Sequence, residues 1–155
     1  MVSGSVGCSM PDVYSEEEID QIIDLRKWIE QDIEWIQEEG YFRFRVPVLC
    51  EEDYALRLIG VLTEKTGYYR YNLLLGEQPA RMLHVGKAHH NPDCAMVGRR
   101  HKHKWTDAYG QDWGYEPKDI DASDLQRAFE TFLQECRIEC RGRFVRPRAQ
   151  MKLPW

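Results

Sequence analysis

Apolar positions recur with a helical period at the start of the chain and with a strand period soon afterwards. Ile19, Ile22, Ile29, Ile33 and Ile36, with Leu25 or Trp28 between them, fall at helical spacing. Ser15 and Glu18 have the spacing of a capping box, and Glu16, Glu17, Glu18 and Asp20 suit the positive end of a helix dipole. The pattern predicts a helix from Ser15 to a stop at Gly40, with an acidic outer face over residues 16–39. Solvation alone accounts for such a face; recognition of a protein partner is the alternative.

From Tyr41 the period becomes twofold. Phe42, Phe44 and Val46 alternate with Arg43 and Arg45, as a half-buried strand requires. Similar segments follow at Ala55 to Leu62, Tyr68 to Leu75 and Ala80 to Val85, separated by the turn-prone EKTG and GEQP. Short connections between neighbouring strands predict an antiparallel meander. Ser123 and Gln126 form a second capping box, and Leu125, Phe129, Phe132, Leu133 and Cys136 mark the stripe of a second helix. A last strand is expected around Phe144 and Val145. The fold class expected is therefore α+β: a small antiparallel sheet of about five strands packed by an N-terminal and a C-terminal helix. At 155 residues the chain is read as one domain, with a loose arm over residues 1–13 and a basic tail over 147–155.

Composition narrows the class without naming a function. The chain is 43% hydrophobic and 30% charged, with mean hydropathy −0.61, too apolar for a disordered protein. No run approaches the roughly 18 apolar residues that a membrane helix needs, and MVSGSVGCSMPDVY lacks the pattern of a secretory signal. A cytoplasmic protein is expected. Cys8, Cys50, Cys94, Cys136 and Cys140 are scattered and odd in number, which fits reduced thiols. Cys136 and Cys140, one helical turn apart, read as buried small residues before they read as half a metal site.

Charge is unevenly distributed. The net charge is −5, yet residues 1–53 sum to −10 and residues 54–155 to +5. Residues 81–104 and 137–155 each sum to +5, separated by 105–136 at −6. Two basic patches on an acidic chain suggest a local anionic ligand, with the acidic helix on a different face of the molecule.

Every histidine lies between Arg81 and Lys104: His84, His89, His90, His101 and His103. His89-His90-Asn91-Pro92-Asp93 has turn chemistry. In an extended His101-Lys102-His103-Lys104-Trp105, the two histidines and Trp105 share one face, with Lys102 and Lys104 on the other. Three readings stand. In one, His89, His90, His101 and His103 supply a general acid and base for RNA cleavage through the 2′-hydroxyl, and Lys102 stabilises the transition state. Arg99, Arg100, Lys104, Trp105, Tyr109 and Arg143 then bind the substrate, and neither metal nor cofactor is needed. In the second, His89 or His90 with Cys94, His101 and His103 binds a transition metal; the spacing matches no usual zinc pattern, and adjacent cations oppose it. In the third, the cluster is scaffold or a recognition patch without chemistry. His84 is read as structural, and at least two of Trp105, Tyr109, Trp113 and Tyr115 as buried.

The order H-x-N-P-D, G-x-x-H-x-H-x-W and Y-G-x-x-W-x-Y, here His89 to Asp93, Gly98 to Trp105 and Tyr109 to Tyr115, resembles a signature of small uncharacterised bacterial and prophage proteins. The resemblance implies a bacterial or phage setting and no reaction. This chain departs from the simpler pattern in having His90 beside His89, and Cys94 where glycine is common. The leading expectation is a nucleic-acid-directed protein, a metal-independent RNase of toxin or phage-defence type. The alternative is a noncatalytic phage or prophage protein that regulates another protein as inhibitor, antitoxin or anti-defence factor, through the acidic residues 16–39.

Overall fold

A computed structural model describes residues 13–86, 89–115 and 124–147, with His89 described by its backbone alone. The arm and the tail, apart from Val13 and Pro147, lie outside the described residues, as do Ser123, Glu116 and Arg148. The elements in chain order are α1 (Glu16–Asp24), β1 (Lys27–Ile29), β2 (Ile33–Glu34), β3 (Ile36–Glu38), β4 (Tyr41–Cys50), β5 (Leu56–Thr63), β6 (Tyr69–Leu75) and β7 (Gln78–Val85). There follow β8 (His89–His90), β9 (Met96–Val97), β10 (Arg100–Lys104), β11 (Gly114–Tyr115), α2 (Leu125–Glu135), β12 (Ile138–Cys140) and β13 (Phe144–Val145).

The small five-strand antiparallel sheet expected from the sequence is not what forms. The main sheet has nine strands in the order β11-β10-β7-β6-β5-β4-β1-β12, with β3 also paired to β4, and it is mixed because β12 runs parallel to β1. The meander from β4 to β7 forms its centre. Two further strand pairs, β8 with β9 and β2 with β13, stand apart from it.

The difference lies chiefly between Lys27 and Glu38. The capping box at Ser15 and Glu18 is present, but α1 ends at Asp24, and Leu25 is already extended with ψ 151°. Lys27 explains the stop. Its side chain turns back, and Nζ donates to the carbonyls of Ile22, Ile23 and Leu25 at 2.9, 2.7 and 2.7 Å, which satisfies acceptors that a helix end leaves open. The β-branched and aromatic residues that follow then take strand partners from the far end of the chain. Trp28 pairs with Glu139, Ile29 with Cys140 and Ile33 with Phe144. Gly142 permits this crossing, since a Cβ there would lie 2.0 Å from the carbonyl oxygen of Gln31.

One face of the main sheet carries the core. Phe42, Phe44, Val46 and Val48 of β4, with Leu58, Tyr71 and Leu83 on the next strands, pack beneath α1 and α2. From α2 come Leu125, Phe129, Phe132 and Leu133; the helix is capped by Asp124, whose carboxylate accepts from the Gln126 N–H. Tyr71 is fully buried, and its hydroxyl donates to the Leu125 carbonyl at 2.8 Å, fastening α2 to β6. Gly60 makes room for the Phe44 ring on the neighbouring strand, which would lie 2.0 Å from a Cβ at that position. Among the described residues no helix is long and apolar enough to cross a membrane.

Lys27 gives the first prediction. Lys27→Met leaves the α1 carbonyls without their donor and is expected to lower unfolding free energy by about 1–3 kcal/mol in urea denaturation. Burial holds the Lys27 pKa down at about 8, against the usual 10.5. Between those two values the unfolded chain binds the extra proton, so this group's contribution to stability rises with pH from about 8 to 10.5. The stability of the wild type relative to Lys27→Met should therefore rise between about pH 8 and 10.5.

Candidate functional site

Strand β10, Arg-His-Lys-His-Lys, lies between β7 and β11 and sorts its side chains by parity. Opposite β7 the register pairs Arg100 with Val85, His101 with His84, Lys102 with Leu83, His103 with Met82 and Lys104 with Arg81. Lys102 shares the Leu83 side, towards the core and α2. His101 and His103 project from the other side, beside His84.

On the core side Glu135, at the end of α2, gathers the polar groups. Its carboxylate pairs with Lys102 Nζ, accepts from the Tyr115 hydroxyl at 3.2 Å and lies 3.7 Å from Arg81 Nε. Arg81 also donates to Asp20 at 2.9 Å. Burial, reinforced by the Glu135 charge, raises the Tyr115 pKa well above the ordinary phenol value. Lys104 pairs with Glu16 at 3.5 Å. The acidic helix therefore neutralises Arg81 and Lys104 directly on its own side of the sheet, while the histidines lie on the opposite side.

On the other side three imidazoles meet. Ring centroids are 5.1 Å apart for His84 and His101, 4.9 Å for His84 and His103, and 4.9 Å for His101 and His103. One candidate ligand nitrogen from each falls within 4.8 Å of the others. His101 and His103 are buried at 1% and 4% exposure, while His84 is half-buried. His101 Nδ1 lies 2.9 Å from the Gly98 carbonyl, and His103 Nδ1 lies 2.9 Å from that of Gln111. A carbonyl only accepts, so both rings carry their proton on Nδ1 and leave Nε2 as the basic nitrogen.

The other sequence candidates fall elsewhere. His90 is exposed on β8, paired with Met96 of β9, and Cys94 is exposed in the intervening turn at φ 69°. The side chain of His89 lies outside the described residues. Asn91 is structural. Its amide donates to the Gly114 carbonyl at 2.8 Å and accepts from the Gly114 N–H at 2.7 Å, which pins the His-His-Asn-Pro-Asp turn to β11. Arg99 and Arg100 are exposed. Trp105 is half-buried and Tyr109 exposed, stacked on Trp113 at 5.5 Å; Trp105 and Tyr109 line a cleft of about 760 Å³ that also takes in Tyr14, Leu75, Glu77 and Asp112. Arg143 is held by Asp32 through its backbone N–H at 2.8 Å and its guanidinium at 3.2 Å. Cys136 is buried, with its thiol pushed up to about 12, and Cys140 donates to the Gly142 carbonyl, so the two cysteines do not form a ligand pair.

Sequence spacing assigned no function to two sets of residues. His84 completes the imidazole cluster through the β7–β10 register, which only strand pairing reveals. Arg43, Arg45 and Arg70 stand exposed on the same side of the sheet as the histidines: Arg43 is opposite Val61, Val61 opposite Arg70, and Arg70 opposite His84. The alternation Phe42-Arg43-Phe44-Arg45 carried that signal, although it served only to identify a strand.

Fold and site together define an α+β protein with a mixed sheet, helices on one face and a histidine cluster with arginines on the other. Residues 14–138 match a family of unknown function, DUF6978, and the chain belongs to that family. Neither the curated proteins nor the solved structures yield a match to the chain.

The core-side carboxylate provides the second prediction. Glu135→Ala strips the buried Lys102 of its counter-charge and is expected to cost about 3–5 kcal/mol in denaturant unfolding. Glu135→Gln, which keeps the shape, should cost less.

Proposed function

We propose that this protein is a nucleic-acid-directed binding protein that contacts single-stranded RNA through the face of its sheet opposite the helices. The observation that carries this reading is the pair Arg45 and Arg70. Both are exposed and have no ion pair with a described residue, and they stand on one side of the sheet in a chain of net charge −5. Arg43 stands beside them, with only an exposed pair to Glu38, worth about 0–1 kcal/mol and readily exchanged. Strand spacing puts Arg43 and Arg70 about 10 Å apart, with Arg45 about 7 Å further along β4 from Arg43. Such a spread suits several phosphates of one strand.

The contact surface therefore differs from the one the sequence suggested. His101 and His103 are buried, and Lys102 lies on the opposite side of the sheet in a pair with Glu135. That arrangement favours binding over metal-free acid–base cleavage by these three residues. A second reading, a noncatalytic contact with a protein partner, draws on Ile36 and Leu49, which are 65% and 42% exposed.

Fluorescence anisotropy with a labelled single-stranded RNA of mixed sequence tests the proposal. The wild type is expected to bind at low salt in roughly the micromolar range and to weaken as salt rises. Arg45→Glu with Arg70→Glu should lower affinity at least about tenfold, whereas Arg143→Glu should leave it nearly unchanged. In EDTA the RNA should remain intact. Absence of binding at low salt would refute the nucleic-acid reading, and cleavage in EDTA would restore a metal-free reaction.

A further inference from the structure

We propose that His84, His101 and His103 form a three-histidine centre for a divalent transition-metal ion, zinc being the simplest occupant. The inference is independent of RNA binding. It rests on convergence and on the state of the rings: three imidazoles from two hydrogen-bonded strands present ligand nitrogens within 4.8 Å of one another. The Gly98 and Gln111 carbonyls fix the Nδ1–H tautomer of His101 and His103, so Nε2 is the ring nitrogen that would ligate a metal. Backbone carbonyls commonly orient metal-ligating histidines in this way.

The adjacent lysine does not oppose the ion as it would in an unfolded chain. Lys102 points through the sheet to Glu135, and Lys104 to Glu16. Three imidazole nitrogens, with no carboxylate in the group among the described residues, select zinc, cobalt, nickel or copper over magnesium or calcium. A tetrahedral zinc with bonds of about 2.0–2.1 Å needs its nitrogens about 3.3 Å apart, so the rings close on the ion by small side-chain rotations. Three protein ligands leave a further coordination position. His84, the least buried of the three, lines a cleft of about 260 Å³ with Tyr68 and Arg70, which gives an anionic ligand a route to that position.

The test uses the full-length protein, stripped with chelator and then titrated with Zn²⁺ by calorimetry and with Co²⁺ by visible absorption. One equivalent should bind, with release of protons at mildly acidic pH and a rise in melting temperature that EDTA reverses. His84→Gln should weaken binding by roughly a hundredfold, while Cys94→Ser and His90→Ala leave it unchanged. Should His84→Gln fail to fold by circular dichroism, ¹⁵N-histidine spectra of the wild type decide the matter, because zinc should shift the ring nitrogens of His84, His101 and His103. Folded wild type that takes up no stoichiometric zinc or cobalt would overturn the proposal. So would binding that survives His84→Gln and is lost in Cys94→Ser, or zinc shifts confined to other histidines.

Discussion

The two-residue period of an extended strand is the constraint on which the rest of this structure depends. Along β4 it sends Phe42, Phe44, Val46 and Val48 into the core and leaves Arg43 and Arg45 outside. Along β10 it does something less ordinary, because the alternating residues are all basic or titratable. Lys102 goes inward to a carboxylate at the end of α2, and His101 and His103 go outward to His84. A slip of one residue would put two imidazoles against Glu135 and a lysine beside His84, so the register is strongly specified.

Charge is handled locally despite its segregation along the chain. The acidic N-terminal third and the basic C-terminal segment meet in space: Glu30 with Arg141, Asp32 with Arg143, Glu16 with Lys104 and Asp20 with Arg81. The Glu30–Arg141 and Asp32–Arg143 pairs are solvent-accessible and each adds little to stability. Their larger effect is on the potential of the surface, since they consume the cations that the sequence offers most conspicuously. Arg45 and Arg70, on the side of the sheet opposite the helices, are among the arginines with no ion pair to a described residue. Buried cations are treated differently, Lys27 by the carbonyls at the end of α1 and Lys102 by Glu135, because an uncompensated charge inside the fold is costly.

The histidine cluster and the arginines share one side of the sheet, with Arg70 directly across from His84. A metal held by neutral imidazoles would keep its full positive charge there, beside a guanidinium. Both features favour anionic ligands. The helices cover the opposite face, so core packing and ligand contact do not compete for the same residues.

The features legible along the chain were local: the capping box that starts α1, the twofold alternation of β4 to β7, the apolar stripe of α2, and the concentration of histidines before Trp105. Each depends on neighbours a few residues away, and each is readable from spacing. The remainder was settled by contacts between distant segments. Ile29 and Ile33 fit a helical stripe or a strand equally well, and the choice was made by Cys140 and Phe144, 111 residues further on, whose pairing outweighs local periodicity. The same holds for the candidate site. His84 joined His101 and His103 through strand register, and Lys102 left them through strand parity and the reach of Glu135 from α2. Partners brought together across the fold, invisible to any local window, determine which charges are spent and which stay free to act.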